Sequence, residues 1–184
     1  MATARNQIDL PDLRRVHELT ADRFPHEYLD VGLGAVGLFL NDPPKNAGYR
    51  CTPANSLTIA GLGVDGIHIG CVTESHEIDP LAPIVITIPM AFESPNFIVG
   101  ETLRDFLCLG CRNGYSNLAN LHTHFDDTMD YYQGFDEDVF DDRVPGILDT
   151  LAAELSLEPW ADVRRHFDEL QSRFMSVLQM PANP

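Results

Sequence analysis

Residues 55–72 read Asn55-Ser-Leu-Thr-Ile-Ala-Gly-Leu-Gly-Val-Asp-Gly-Ile-His-Ile-Gly-Cys-Val72, two short β-branched runs on either side of a glycine-rich stretch. The pattern predicts a strand over Ser56–Ala60, a turn over Gly61–Gly66 and a partner strand over Ile67–Val72. Alternation places Ile67, Ile69 and Cys71 on one face of that second strand and His68 on the other. Asp65-Gly66 between two strands is a hairpin signal, because a tight turn needs residues that tolerate positive φ. The same glycines match neither a dinucleotide fingerprint nor a P-loop, and no Lys follows them.

Working outward, an acidic loop with Pro80 and Pro83 leads to a third predicted strand, Ile84–Ile88, ended by Pro89. Its β-branched run suggests a sheet covered by helices on at least one face. The period then changes. Glu101–Leu109 has helical spacing, with Leu103, Phe106 and Leu107 apolar and Gly110 as terminator. Asn117–Leu121 reads as a short helix, and Ile147–Leu155 and Glu158–Leu178 as two closing helices. Ser156 is the expected cap of the last one, with Pro159 in its opening turn. Val163, Phe167, Leu170, Phe174 and Leu178 form its core stripe. Upstream, Leu10–Phe24 reads as a helix with Pro11 in its first turn. Tyr28–Leu40 is apolar with glycines at 32, 34 and 37, and Asn41–Asn46 reads as a turn. The expected architecture is one α+β domain over residues 1–184, a central antiparallel or mixed sheet with helices packed against it.

Charge narrows the function. Twelve Lys plus Arg against twenty-eight Asp plus Glu give a net charge of −16 over 184 residues. Such a field repels phosphate backbones and anionic membrane surfaces, so neither direct nucleic-acid binding nor membrane binding is expected. It steers a basic protein toward the chain, at a rate that falls with salt. The bland alternative is that acidity serves solubility alone. The N-terminus has no apolar signal core, and the apolar stretches Val31–Leu40 and Leu81–Met90 are far short of a membrane span. A cytoplasmic location is the default expectation, with Cys51, Cys71, Cys108 and Cys111 as reduced thiols or metal ligands.

Three clusters are candidates for chemistry. Cys108-Leu-Gly-Cys111 followed by His122-Thr-His124 offers two thiolates and two imidazoles, the donors of a tetrahedral zinc site. Against this, the His pair is tighter than usual, Cys108 falls in an apolar helical run, and cysteine is commonly buried. His68 and His76 flank Cys71, but a nucleophilic pair needs thiol and imidazole in contact, whereas a regular strand sends His68 and Cys71 to opposite faces. The densest acidic stretch holds Asp126, Asp127, Asp130, Asp136, Glu137 and Asp138, then Asp141 and Asp142. A calcium loop beginning at Asp126 would need glycine where Tyr131 stands, so that pattern fails. Interleaved rings make the stretch a candidate partner-binding surface, with Tyr131 and Tyr132 as anchors and carboxylates facing Arg or Lys.

The run Asn55–Gly70, then Pro83-Ile-Val-Ile-Thr-Ile-Pro89, then Ile98-Val-Gly-Glu-Thr-Leu-Arg-Asp-Phe-Leu107 resembles a set of bacterial proteins. More remotely it resembles the SMI1/KNR4-like (SUKH) superfamily, in which a glycine–aspartate–glycine hairpin and an apolar strand precede a helix. The similar part spans residues 52–110. The resemblance implies an α+β fold of SMI1/KNR4-like type and a role as an immunity protein that neutralises a toxin by binding it. It assigns no catalytic residue. The expectation is therefore an acidic protein-binding domain rather than an enzyme. Two alternatives stay open: a metal-binding protein or small enzyme using Cys108, Cys111, His122 and His124, and a structural or regulatory homo-oligomer.

Overall fold

The computed structural model describes residues 7–28, 30–75, 77–134 and 141–181. Among them, five strands form one antiparallel sheet in the order β1-β2-β3-β4-β5. The strands are β1 (Phe39–Lys45), β2 (Ser56–Gly61), β3 (His68–Val72), β4 (Ile84–Thr87) and β5 (Asn96–Gly100). The β2–β3 hairpin forms as its sequence predicts. Leu62 N–H donates to Ile67 O at 3.1 Å, and Gly63, Asp65 and Gly66 all take positive φ. A Cβ at Gly63 would stand 2.5 Å from the Phe39 ring, and one at Gly66 would meet the Tyr49 hydroxyl. Glycine there serves the turn and also lets two aromatic rings close on it.

Two strands differ from expectation. Asn41–Lys45, read as turn, continues β1, whose pairing with β2 is irregular between Leu40 and Lys45. Pro43 and Pro44 are tolerated because this is an edge strand, where a missing N–H need not break the ladder. Asn96–Gly100, to which the sequence pattern assigns no element, is β5. Both of its faces are largely covered, so its sequence shows no apolar–polar alternation.

The helices are α1 (Leu10–Arg23), α2 (Leu103–Gly110), α3 (Phe125–Gln133), α4 (Val144–Leu155) and α5 (Val163–Phe174), with 3-10 turns at Gly32–Val36 and Ser116–Asn120. Asp9 caps α1 in a reciprocal box with Asp12, and Thr102 caps α2. The cap of the last helix is Asp162, not Ser156. Ser156 instead ends α4 in the left-handed region, at φ 50°. Leu157–Asp162 is therefore a connection rather than helix, which Pro159 helps to enforce.

Both faces of the central strands are buried. Ile69, Ile84 and Ile86 join Phe106, Leu107 and Leu151 in the main core. On the other face Val72, Val85 and Ile98 meet Leu170 of α5, with Phe174 and Leu178 packed alongside. Next to this apolar patch runs a buried polar row, His68, Thr87 and Asn96, aligned across three strands. Its hydrogen bonds are made. Thr87 Oγ1 donates to Asn96 Oδ1 at 2.7 Å, and Asn96 Nδ2 to Cys51 O at 3.0 Å. His68 Nδ1 donates to Gly66 O at 2.8 Å, so its Nε2 accepts from Thr52 Oγ1 at 3.0 Å. Burial lowers the His68 pKa, only partly offset by the Gly66 bond, and the ring stays neutral.

The outer edge of β5 is closed by one side chain. Ile98 N–H donates to Gln171 Oε1 at 2.9 Å, and Gln171 Nε2 donates to Ile98 O at 2.7 Å. An amide thus replaces the next strand, which blunts an otherwise sticky edge. Gln171→Ala is predicted to destabilise the fold by about 1–3 kcal/mol in denaturant unfolding, because two backbone groups lose their partners. The adjacent exposed Ser172→Ala should stay within about 0.5 kcal/mol.

Candidate functional site

The acidic stretch beginning at Phe125 becomes α3, with 135–140 outside the described residues and α4 following at Val144. Helical period sorts its side chains. Thr128, Met129 and Tyr132 turn inward, leaving Asp126, Asp127 and Asp130 exposed. Asp126 and Asp127 in the first turn also suit the positive end of the helix dipole. Asp126 lies 2.8 Å from Arg164 Nη1 of α5, whereas Asp127, Asp130 and Asp142 are exposed. Tyr132 is only 4% exposed and belongs to the core, so the expectation that it anchors a partner is corrected. Tyr131 is half-buried, with its hydroxyl donating to Asn113 O at 2.7 Å. The expected contacts Asp136, Glu137 and Asp138 lie outside the described residues.

Asp141 is held rather than free. It accepts from Arg143 backbone N–H at 2.9 Å, Nε at 3.0 Å and Nη2 at 2.6 Å. Arg143 Nη2 also reaches Asp30 Oδ2 at 2.8 Å, and Asp30 Oδ1 lies 3.1 Å from His26 Nδ1. The bond from Arg143 holds the Asp141 carboxyl below its ordinary value. Burial alone would raise the Asp30 carboxyl, but hydrogen bonds from Arg143 and its own backbone outweigh it, and the net shift is downward. This network ties the start of α4 to the segment preceding the 3-10 turn at Gly32–Val36.

Between these elements opens a cleft of about 710 Å³. Among the described residues its walls are largely apolar: Val36, Val144, Leu148, Ala152 and Leu157, with Tyr131 at one side. Asp141 and Asp149 supply carboxylates, and Arg112 and Asn113 add other polar groups. An apolar trough bordered by carboxylates can accept a side chain that joins aliphatic length to positive charge. Val144, Leu148 and Asp149 escaped sequence-based prediction. The available signal was Pro145, which suits a helix's first turn and would have moved the expected start of α4 forward.

The zinc candidates do not converge. Cys108 lies half-buried on α2, Cys111 is buried at its C-cap, and His122 and His124 are exposed. Cys111 Sγ donates to Cys108 O at 3.3 Å, and His124 Nδ1 contacts Thr123 Oγ1 at 2.9 Å. Among the described residues no three His, Cys, Asp or Glu side chains come together as a metal site. The physical reason is helical: α2 turns its thiols toward the core, while the His-x-His segment stays at the surface. His68 and Cys71 are likewise apart in function, since Cys71 Sγ donates to Asp79 O at 3.3 Å. His76 lies outside the described residues. No described helix is long and apolar enough to cross a membrane.

In comparisons with known proteins, no family model matches the chain, and neither a curated protein nor a solved structure matches it.

Burial pushes the thiols of Cys71 and Cys111 from 9.0 up to about 11. An acid with a raised folded pKa keeps its proton longer when folded. The associated stability is present below pH 9.0, the unfolded value, and is lost as pH rises toward 11. Thiol titration with a disulfide reagent is predicted to leave these two cysteines unreactive in the native chain at neutral pH, and to modify both once it is denatured.

Proposed function

We propose that the chain is a non-catalytic binding domain that receives a basic segment of a partner protein in the cleft between α3 and α4. One observation carries this: an apolar cleft of about 710 Å³ with the exposed Asp149 in its lining, beside a helix that exposes Asp126, Asp127 and Asp130. Apolar walls supply desolvated contact area, and the carboxylates select cationic side chains and speed encounter. A net charge of −16 extends that attraction well beyond the cleft. Asp142 belongs to the same face in this proposal, and Tyr131 is its aromatic contact.

The specific form proposed is immunity: occupation of a toxin's basic groove, with no bond made or broken. Kinship with the SMI1/KNR4-like superfamily is part of the proposal. It is supported by the order of a Gly63–Gly66 turn, an apolar strand and a helix within an antiparallel α+β arrangement. Fold alone does not decide function, so the test addresses the surface.

A peptide of alternating Arg and Leu, titrated calorimetrically at low and high salt, is the probe. Neutralising Asp127, Asp130, Asp142 and Asp149 to Asn is predicted to weaken binding by about ten-fold or more, equivalent to about 1.4 kcal/mol. It should also flatten the salt dependence. Neutralising three exposed carboxylates elsewhere, Glu74, Glu77 and Glu93, should alter affinity by no more than about two-fold. Equal losses from both sets would contradict a specific site.

A further inference from the structure

A second cleft, of about 840 Å³, lies on the opposite side of the Arg143 network, where β1 departs from regular pairing with β2 between Leu40 and Lys45. Its lining is aromatic and acidic. Phe39 and Tyr49 contribute the rings that close on the Gly63–Gly66 turn, and Tyr28 adds a third. Tyr28 is 73% exposed and Tyr49 45%, so large ring surfaces face the solvent. Tyr49 is oriented by stacking on His68, with centroids 5.6 Å apart and planes at 19°. The carboxylates are Asp30 and Asp65, and no Lys or Arg appears among the described lining residues. At the base lies Thr58, 2% exposed, whose hydroxyl has no hydrogen-bond partner.

We propose that this cleft binds a small organic cation with an alkylated ammonium head. The negative faces of tyrosine rings attract such a head, and its alkyl groups gain contact with ring carbon. Asp65 supplies an opposite charge at the turn. Asp30 is already shared with Arg143 and helps to shape the wall rather than carry the attraction. Anions are disfavoured by the same carboxylates and by the net charge of −16. A metal ion lacks a donor set, since rings do not ligate it and no three described carboxylates, imidazoles or thiols converge. His68, buried and neutral, adds no competing positive charge behind Tyr49. The volume is that of a small-molecule site, and its place on the sheet separates it from the α3–α4 cleft. The inference does not depend on the protein-binding function proposed above.

The test compares choline with its uncharged isostere 3,3-dimethylbutan-1-ol on the full-length chain, read by amide chemical shifts. Choline should bind saturably, shift the amides of Tyr49, Val64 and Asp65, and bind at least about ten-fold more tightly than the alcohol. Tyr49→Leu and Asp65→Asn should each weaken choline by several-fold, whereas Tyr49→Phe, which keeps the ring, should bind as before. Asn tolerates the positive φ at position 65, so the charge test survives even if Tyr49→Leu fails to fold. Equal binding of choline and the alcohol would overturn the proposal, leaving only an apolar groove. So would non-saturating shifts spread over the acidic surface, or binding unchanged in Asp65→Asn.

Discussion

With both faces of β3 and β4 buried, each face needs a cover, and the polar row on the second face constrains what that cover must be. His68, Thr87 and Asn96 are withdrawn from water, and each would cost free energy if left without partners. Beyond the Gly66 carbonyl and the Thr87–Asn96 bond, the partners come from the segment joining β1 to β2, through Thr52 and the Cys51 carbonyl. That segment carries Tyr49 and so sets one wall of the second cleft. The adjoining apolar patch is closed by α5, with Gln171 completing the edge of β5.

From α5 the constraint passes to the α3–α4 cleft. His166 Nε2 and Trp160 Nε1 both lie within hydrogen-bond distance of Asp105, which fixes α5 and its approach against α2. Gln133 at the end of α3 accepts from Val163 N–H at 2.8 Å at the start of α5. Asn113 then donates to the Tyr131 and Gly134 carbonyls beside the cleft. Tyr131 is thus held by a relay that begins at the sheet, and the acidic face of α3 is presented in one orientation. A preordered surface loses less entropy on binding than a loose acidic loop would.

Legibility followed how local each signal was. The Gly61–Gly66 hairpin and α1 depend on neighbours close in sequence, and the predicted elements match them within a few residues. The last helix keeps its stripe from Val163 to Phe174, but it starts five residues later than expected and ends before Leu178. The extension of β1 through Pro43-Pro44 depends on its being an edge, a property set only when β2 pairs with it. Ser156 and Asp162 both suit a cap, and the choice between them is made by where α4 stops against its neighbours. At the site, the exposure of Asp126, Asp127 and Asp130 was readable, but the burial of Tyr132 needed the helix phase. Cys108 and Cys111 looked like ligands because spacing alone cannot tell an inward helix face from an open one. Asp149 and Leu148 gave no sequence signal as cleft residues, since only tertiary packing sets them in one lining with Tyr131 and Val36.

Specific docking of a basic segment between α3 and α4 is the central functional claim, and a hydrogen-exchange footprint tests it most directly. Amide exchange would be followed in the full-length chain with and without the alternating Arg–Leu peptide. The account predicts slowed exchange concentrated in residues 125–134 and 144–152, with the strands of the sheet unchanged. Protection confined to other surfaces, or spread evenly over the acidic exterior, would contradict it.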